Sequence, residues 1–288
     1  MILSLENYCG SDPRRYPVTN SLPTVTGRCG SGRTAVNGPP LYRQRRNSTR
    51  RVPGKYLMRT WMFALLLLAG CDGVGTIELP HYEYTQNSGP PVILLATSID
   101  DAMSGVALGS IPEHLISAGF STLVFDLPCH GTDAEAGVQP LACWRNRLGR
   151  GELDMFDRFC EGVSAVMDQL HIPAADVIGL SRGGYVAVTC AASDTRIHNL
   201  ALLQPVTDLQ RLSEFDGYTV NESRYGLTRY ASQLKDRRIL VRIGERDDRV
   251  GTDAAVTFAN AVHADLQLLD IDGHNVPLDD SAMNWLMR

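Results

Sequence analysis

Lysine is nearly missing from this chain: Lys55 and Lys235 stand beside 25 arginines in 288 residues, a bias that points to a GC-rich genome rather than to a function. Long apolar runs are missing too. The run Trp61 to Ala69 has nine residues, against roughly 20 needed to span a bilayer. There is no phosphate loop, no dinucleotide fingerprint, no C-x-x-C and no Cys/His metal spacing, so neither a cofactor nor a metal is expected. Basic surface is scarce in the larger part of the chain. Residues 71–288 carry 16 basic and 30 acidic side chains, a net of −14. That balance argues against nucleic acid as a partner, because phosphate binding calls for a basic surface.

The positive charge is concentrated at the other end. Residues 1–57 carry ten basic side chains against Glu6 and Asp12, a net of +8, in a Pro/Arg/Ser/Gly-rich stretch without apolar periodicity. Met58-Arg59-Thr60, the apolar run and Gly70-Cys71 then follow. A methionine, one positive charge, a short apolar core and small residues before a cleavage point compose a secretory signal peptide. Leu68-Ala69-Gly70-Cys71 also resembles a bacterial lipobox, which implies lipid attachment at Cys71 and an N-terminal membrane anchor in the cell envelope. On this reading residues 58–70 are the signal peptide, translation starts at Met58, and residues 1–57 are an upstream extension. A disordered basic arm or a transit peptide is the alternative for residues 1–57, and a cytoplasmic protein the alternative for the whole.

The chemistry is carried by Gly179-Leu180-Ser181-Arg182-Gly183-Gly184, set between the apolar run ending at Ile178 and the helix-like Tyr185 to Ala192. A G-x-S-x-G turn between strand and helix pushes the serine out at the carboxyl end of the strand, and small neighbours leave room for the sharp turn. A serine nucleophile needs a base and an acid that orients it. Asp247 lies in the polar loop after the strand-like Arg238 to Ile243, and His274 in the loop after Asp265 to Ile271. Asp208 ranks second and Asp248 third for the acid's role. His130 reads as structural, and His81, His114, His171, His198 and His263 have no acidic or serine constellation near them in sequence.

With Ser181, Asp247 and His274 in that order, G-x-x-D-x-x-V at Gly244 to Val250, and Gly273-His274, residues 90–280 resemble the α/β-hydrolase superfamily. The G-x-S-R-G-G elbow is similar to that of its prolyl-oligopeptidase and dienelactone-hydrolase branch. The resemblance implies an α/β-hydrolase fold, with a mostly parallel sheet and helices on both faces, in residues 71–288. It also implies a short cap at residues 208–237, which reads either as a surface helix and loop or as a lid whose aromatics line the substrate pocket. It further implies a serine hydrolase acting on a small-molecule ester or short peptide, with the backbone N–H groups of Arg182 and Ser98 as oxyanion donors. The family's His-Gly at that loop is replaced here by Ala96-Thr97. Carboxylesterase is expected over peptidase, since no room for a propeller separates Cys71 from the first core strand. A non-catalytic envelope lipoprotein keeping the fold is the rival.

Of the remaining cysteines, Cys190 on the helix after the elbow reads as a buried free thiol. Cys129, Cys143 and Cys160 fall in or near loops and allow one disulfide in an oxidising compartment.

Overall fold

A computed structural model describes residues 77–218 and 225–288. The expectations for residues 1–57, the signal peptide at 58–70 and the lipid site at Cys71 lie outside the described residues. Seven strands form one sheet: β1 (Tyr82–Thr85), β2 (Pro91–Leu95), β3 (Ser121–Phe125), β4 (Ala175–Leu180), β5 (Ile197–Leu203), β6 (Arg238–Arg246) and β7 (Asp265–Asp272). Their order is β1-β3-β2-β4-β5-β6-β7, antiparallel only at β1–β3.

The central strands are apolar throughout because both faces are covered. Period-two alternation sorts their side chains. Ile93, Leu95, Val177, Leu200, Leu202, Val241 and Ile243 face one core. Val92, Leu94, Ile178, Leu180, Ala201, Leu203 and Leu240 face the other. The first core is closed by α3 (Pro140–Gly149), α4 (Met155–Gln169), α5 (Arg182–Ser193), α6 (Ala231–Leu234) and α7 (Thr252–Ala261). The second is closed by α1 (Ile99–Met103), α2 (Ile111–Ser117) and α8 (Ser281–Leu286). Helices α1 and α3 were not expected; α1 has five residues, and α3 is set by Pro140 at its first turn rather than by a strong apolar period.

Cysteine pairing corrects the sequence reading. Cys129 is joined to Cys143, and Cys160 to Cys190. Cys143 sits in α3 and Cys160 within α4, not in loops. Helices α4 and α5 pack side by side on the sheet, which brings the Cα atoms of Cys160 and Cys190 to 4.8 Å, within the range a disulfide spans. Cys190 is therefore not a free thiol.

Four aromatics of the segment after β5 join the core or its margin. Phe215 and Tyr225 are buried in the first core, with Tyr218 and Tyr230 packed against it. They tie the segment to that core, where its 3-10 turns pack against α3, α5 and α7.

Candidate active site

Ser181 follows β4 directly and precedes α5, with φ 52° and ψ −116°. A non-glycine residue at positive φ costs on the order of 1–3 kcal/mol and persists only where its surroundings hold it. Here both flanking peptide groups are fixed. The Ser181 N–H donates to the Leu203 carbonyl (2.9 Å), and the Ser181 carbonyl accepts from the N–H groups of Gly184 (3.0 Å) and Val206 (2.9 Å). The glycines are required by close approach. A Cβ on Gly183 would lie 1.9 Å from the Leu95 carbonyl oxygen, and one on Gly184 would lie 2.7 Å from the Pro205 Cβ. The end of β2 thus presses on the elbow from one side and the end of β5 from the other.

The histidine arrives from the sheet edge. Gly273, at φ 69°, donates its N–H to the Arg246 carbonyl (2.9 Å), and Val276 donates to the Gln204 side-chain oxygen (2.8 Å). Fixed on both sides, His274 lies with Nε2 3.0 Å from Ser181 Oγ and Nδ1 2.8 Å from Asp247 Oδ2. The imidazole is 23% exposed while the Asp247 side chain is sealed at 0%. Asp247 Oδ1 accepts from the N–H groups of Arg249 (3.1 Å) and Val250 (3.4 Å), and Thr252 Oγ1 accepts from the Asp247 N–H (3.0 Å). Gln204, itself at φ 39°, carries no sequence motif; it was missed because only the fold shows it reaching the histidine loop.

The other candidate acids stay away from His274. Asp208 caps a short 3-10 turn, accepting from the Gln210 N–H, and Asp248 is exposed. His130 is buried; its Nδ1 donates to the Pro128 carbonyl (2.9 Å), and its Nε2 lies 3.1 Å from Arg182 Nη1. Burial pushes His130 down to about 4, so it is neutral near pH 7 and Nε2 accepts from the guanidinium. His81 and His114, expected to lack acidic partners, meet Asp126 and Asp280, which are distant in sequence.

At the loop after β2, Ser98 is the N-cap of α1. Its Oγ accepts from the Asp101 N–H (3.1 Å), and Thr97 Oγ1 donates to Asp101 (2.9 Å). Both hydroxyls are thus engaged locally. The Ser98 N–H donates to no acceptor among the described residues. The Arg182 N–H is in the first turn of α5, where the helix supplies no acceptor. Among the described residues no group of three or more His, Cys, Asp or Glu could hold a metal ion.

No protein-family model matches the sequence, and no curated protein matches it. Solved structures do match. A protein from Thermus thermophilus shares 16% identity over 72% of this chain and 91% of its own, with a TM-score of 0.56. Mouse alpha/beta hydrolase domain-containing protein 10 shares 14% identity over 74% of this chain and 94% of its own, with a TM-score of 0.50. A Bacteroides ovatus protein carrying the name dipeptidyl aminopeptidase IV shares 17% identity over 74% of this chain but 34% of its own, with a TM-score of 0.56. The mostly parallel seven-stranded sheet, the helices on both faces and these neighbours together establish the α/β-hydrolase fold.

Proposed function

We propose that the protein is a serine hydrolase that cleaves carboxylic esters through an acyl-enzyme. The observation that carries this is the unbroken relay from Ser181 Oγ through His274 to Asp247, at 3.0 and 2.8 Å. Asp247 accepts from Nδ1, which leaves Nε2 free to take the Ser181 proton as Oγ attacks the ester carbonyl. The protonated imidazole then delivers that proton to the departing alcohol. A water deprotonated by His274 attacks the acyl-enzyme, releases the acid and restores Ser181. The oxyanion formed in each half is met by the backbone N–H groups of Arg182 and Ser98, a pair of donors of which each is typically worth about 100–1000-fold in rate. Because the Thr97 and Ser98 hydroxyls are occupied, this role falls to the backbone.

The envelope location is likewise proposed: export behind residues 58–70 and lipid attachment at Cys71. The two disulfides support it, since such bonds persist in oxidising compartments. Turnover of p-nitrophenyl esters and aminoacyl amides of graded length by wild type and Ser181→Ala tests the activity. Ester hydrolysis that disappears in the variant is expected. Amide turnover exceeding ester turnover would favour a peptidase of the prolyl-oligopeptidase type, and no turnover of either would favour a binding protein that keeps the fold.

A further inference from the structure

The residue beside the nucleophile carries a cation that the relay does not use. Arg182 is half-buried and immediately follows Ser181. Its one hydrogen bond among the described residues is from Nη1 to neutral His130 Nε2, at 3.1 Å. No carboxylate lies within ion-pair distance of it among the described residues, whereas Arg249, the arginine whose charge reaches it, is occupied. Arg249 grips Glu214 at 2.6 and 2.9 Å.

The groups whose charge reaches Arg182 are Arg249, Glu214 and Asp101. They stand on the loop of Asp247, on the segment after β5 and on α1 beyond the oxyanion loop. The guanidinium therefore lies inside the ring of loops around Ser181. Both nearby carboxylates already have donors: Glu214 has Arg249, and Asp101 has Thr97. A guanidinium has five N–H donors in a fork that matches a carboxylate bidentately. His130 takes one of them, and none of the others is sealed away without a partner in the interior. Burial first, and the Arg249 charge second, disfavour the charged form of Arg182 by more than Glu214 and Asp101 favour it, so an anion beside it would offset the remainder.

From this geometry we propose that Arg182 is a specificity-determining residue and that the substrate is an ester whose acyl or alcohol part bears a carboxylate a few atoms from the reacting carbonyl. The inference rests on the serine-hydrolase reading and narrows it. The guanidinium holds the substrate carboxylate bidentately, His130 keeps the fork in place without neutralising it, and the backbone N–H of the same residue faces the oxyanion.

The test compares p-nitrophenyl hydrogen adipate with p-nitrophenyl hexanoate, its neutral counterpart of equal chain length, on wild type, Arg182→Gln and Arg182→Lys. Wild type should prefer the anionic ester in kcat/KM. That preference should fall roughly 10- to 100-fold in Arg182→Gln, with Arg182→Lys between them because charge remains without the fork. A purely structural role would lower both esters together and leave the ratio unchanged, which would overturn the proposal, as would a wild-type preference for the hexanoate. Calorimetric binding of adipate supplies an arm independent of turnover. Weakening of tenfold or more in Arg182→Gln supports the site, and equal or absent binding in both proteins contradicts it. Failure of the hydrolase reading would show separately, as hexanoate turnover that is absent or does not depend on Ser181.

Discussion

The strained Ser181 backbone, the glycines that crowd it and the sealed Asp247 carboxylate form a preorganised arrangement in which each polar group has one direction to act. Asp247→Asn should lower kcat by about 10⁴-fold, since an amide in that place favours the wrong imidazole tautomer. Asp208→Asn, which keeps an acceptor for the Gln210 N–H and removes only a charge away from His274, should change kcat by no more than a few-fold, and steady-state kinetics of the two variants separates the roles. His130 gives a pH dependence of stability. Its ordinary value is 6.5 and its folded value about 4, so the unfolded chain binds the proton first as pH falls. Its contribution is fully present above about pH 6.5 and shrinks toward pH 4, a loss on the order of 3 kcal/mol. Denaturant midpoints from pH 7 to 4 should fall in wild type and fall less in His130→Asn. At this scale Ser181, Asp247 and His274 were legible because each follows an apolar strand in a recognisable short motif. Gln204 and the Arg182–His130 contact were not, because their partners lie 72 and 52 residues away and share no pattern.

At the scale of elements, α4 and α5 are joined by packing and by Cys160–Cys190, which closes a separation of 30 residues. Cys129–Cys143 closes one of 14 and ties the loop that holds His130 to α3. In the chain-entropy model cross-links of these lengths stabilise by about 3–4 kcal/mol each. The double variant Cys160→Ala/Cys190→Ala should therefore lose about that much in chemical denaturation, and alkylation of the native protein should find none of these four cysteines free. Strands β2 to β7 and helices α4, α5 and α7 could be read from their apolar patterns and lengths. The pairing of Cys190 could not, because it depends on two helices lying side by side on the sheet. Helix α3 escaped for a local reason: it packs Leu141, Cys143, Trp144 and Leu148 inward without a strong apolar period.

For the whole molecule, the acidic α/β-hydrolase-fold region stands apart in charge from the basic N-terminal stretch, and the proposed lipid on Cys71 would place that fold in an oxidising compartment where its disulfides persist. Mass spectrometry of the native protein should find an acylated Cys71 at the N-terminus and no peptides from residues 1–57; such peptides in the mature protein would refute the anchor. The hydrolase proposal turns on Ser181 acting as a nucleophile. Its most direct test is covalent labelling with a fluorophosphonate, read as a mass increase on the tryptic peptide containing Ser181. Stoichiometric labelling of wild type at Ser181 is expected, with none in Ser181→Ala and strongly slowed labelling in His274→Ala. An unlabelled wild type, or a label that persists at equal stoichiometry in Ser181→Ala, would contradict it.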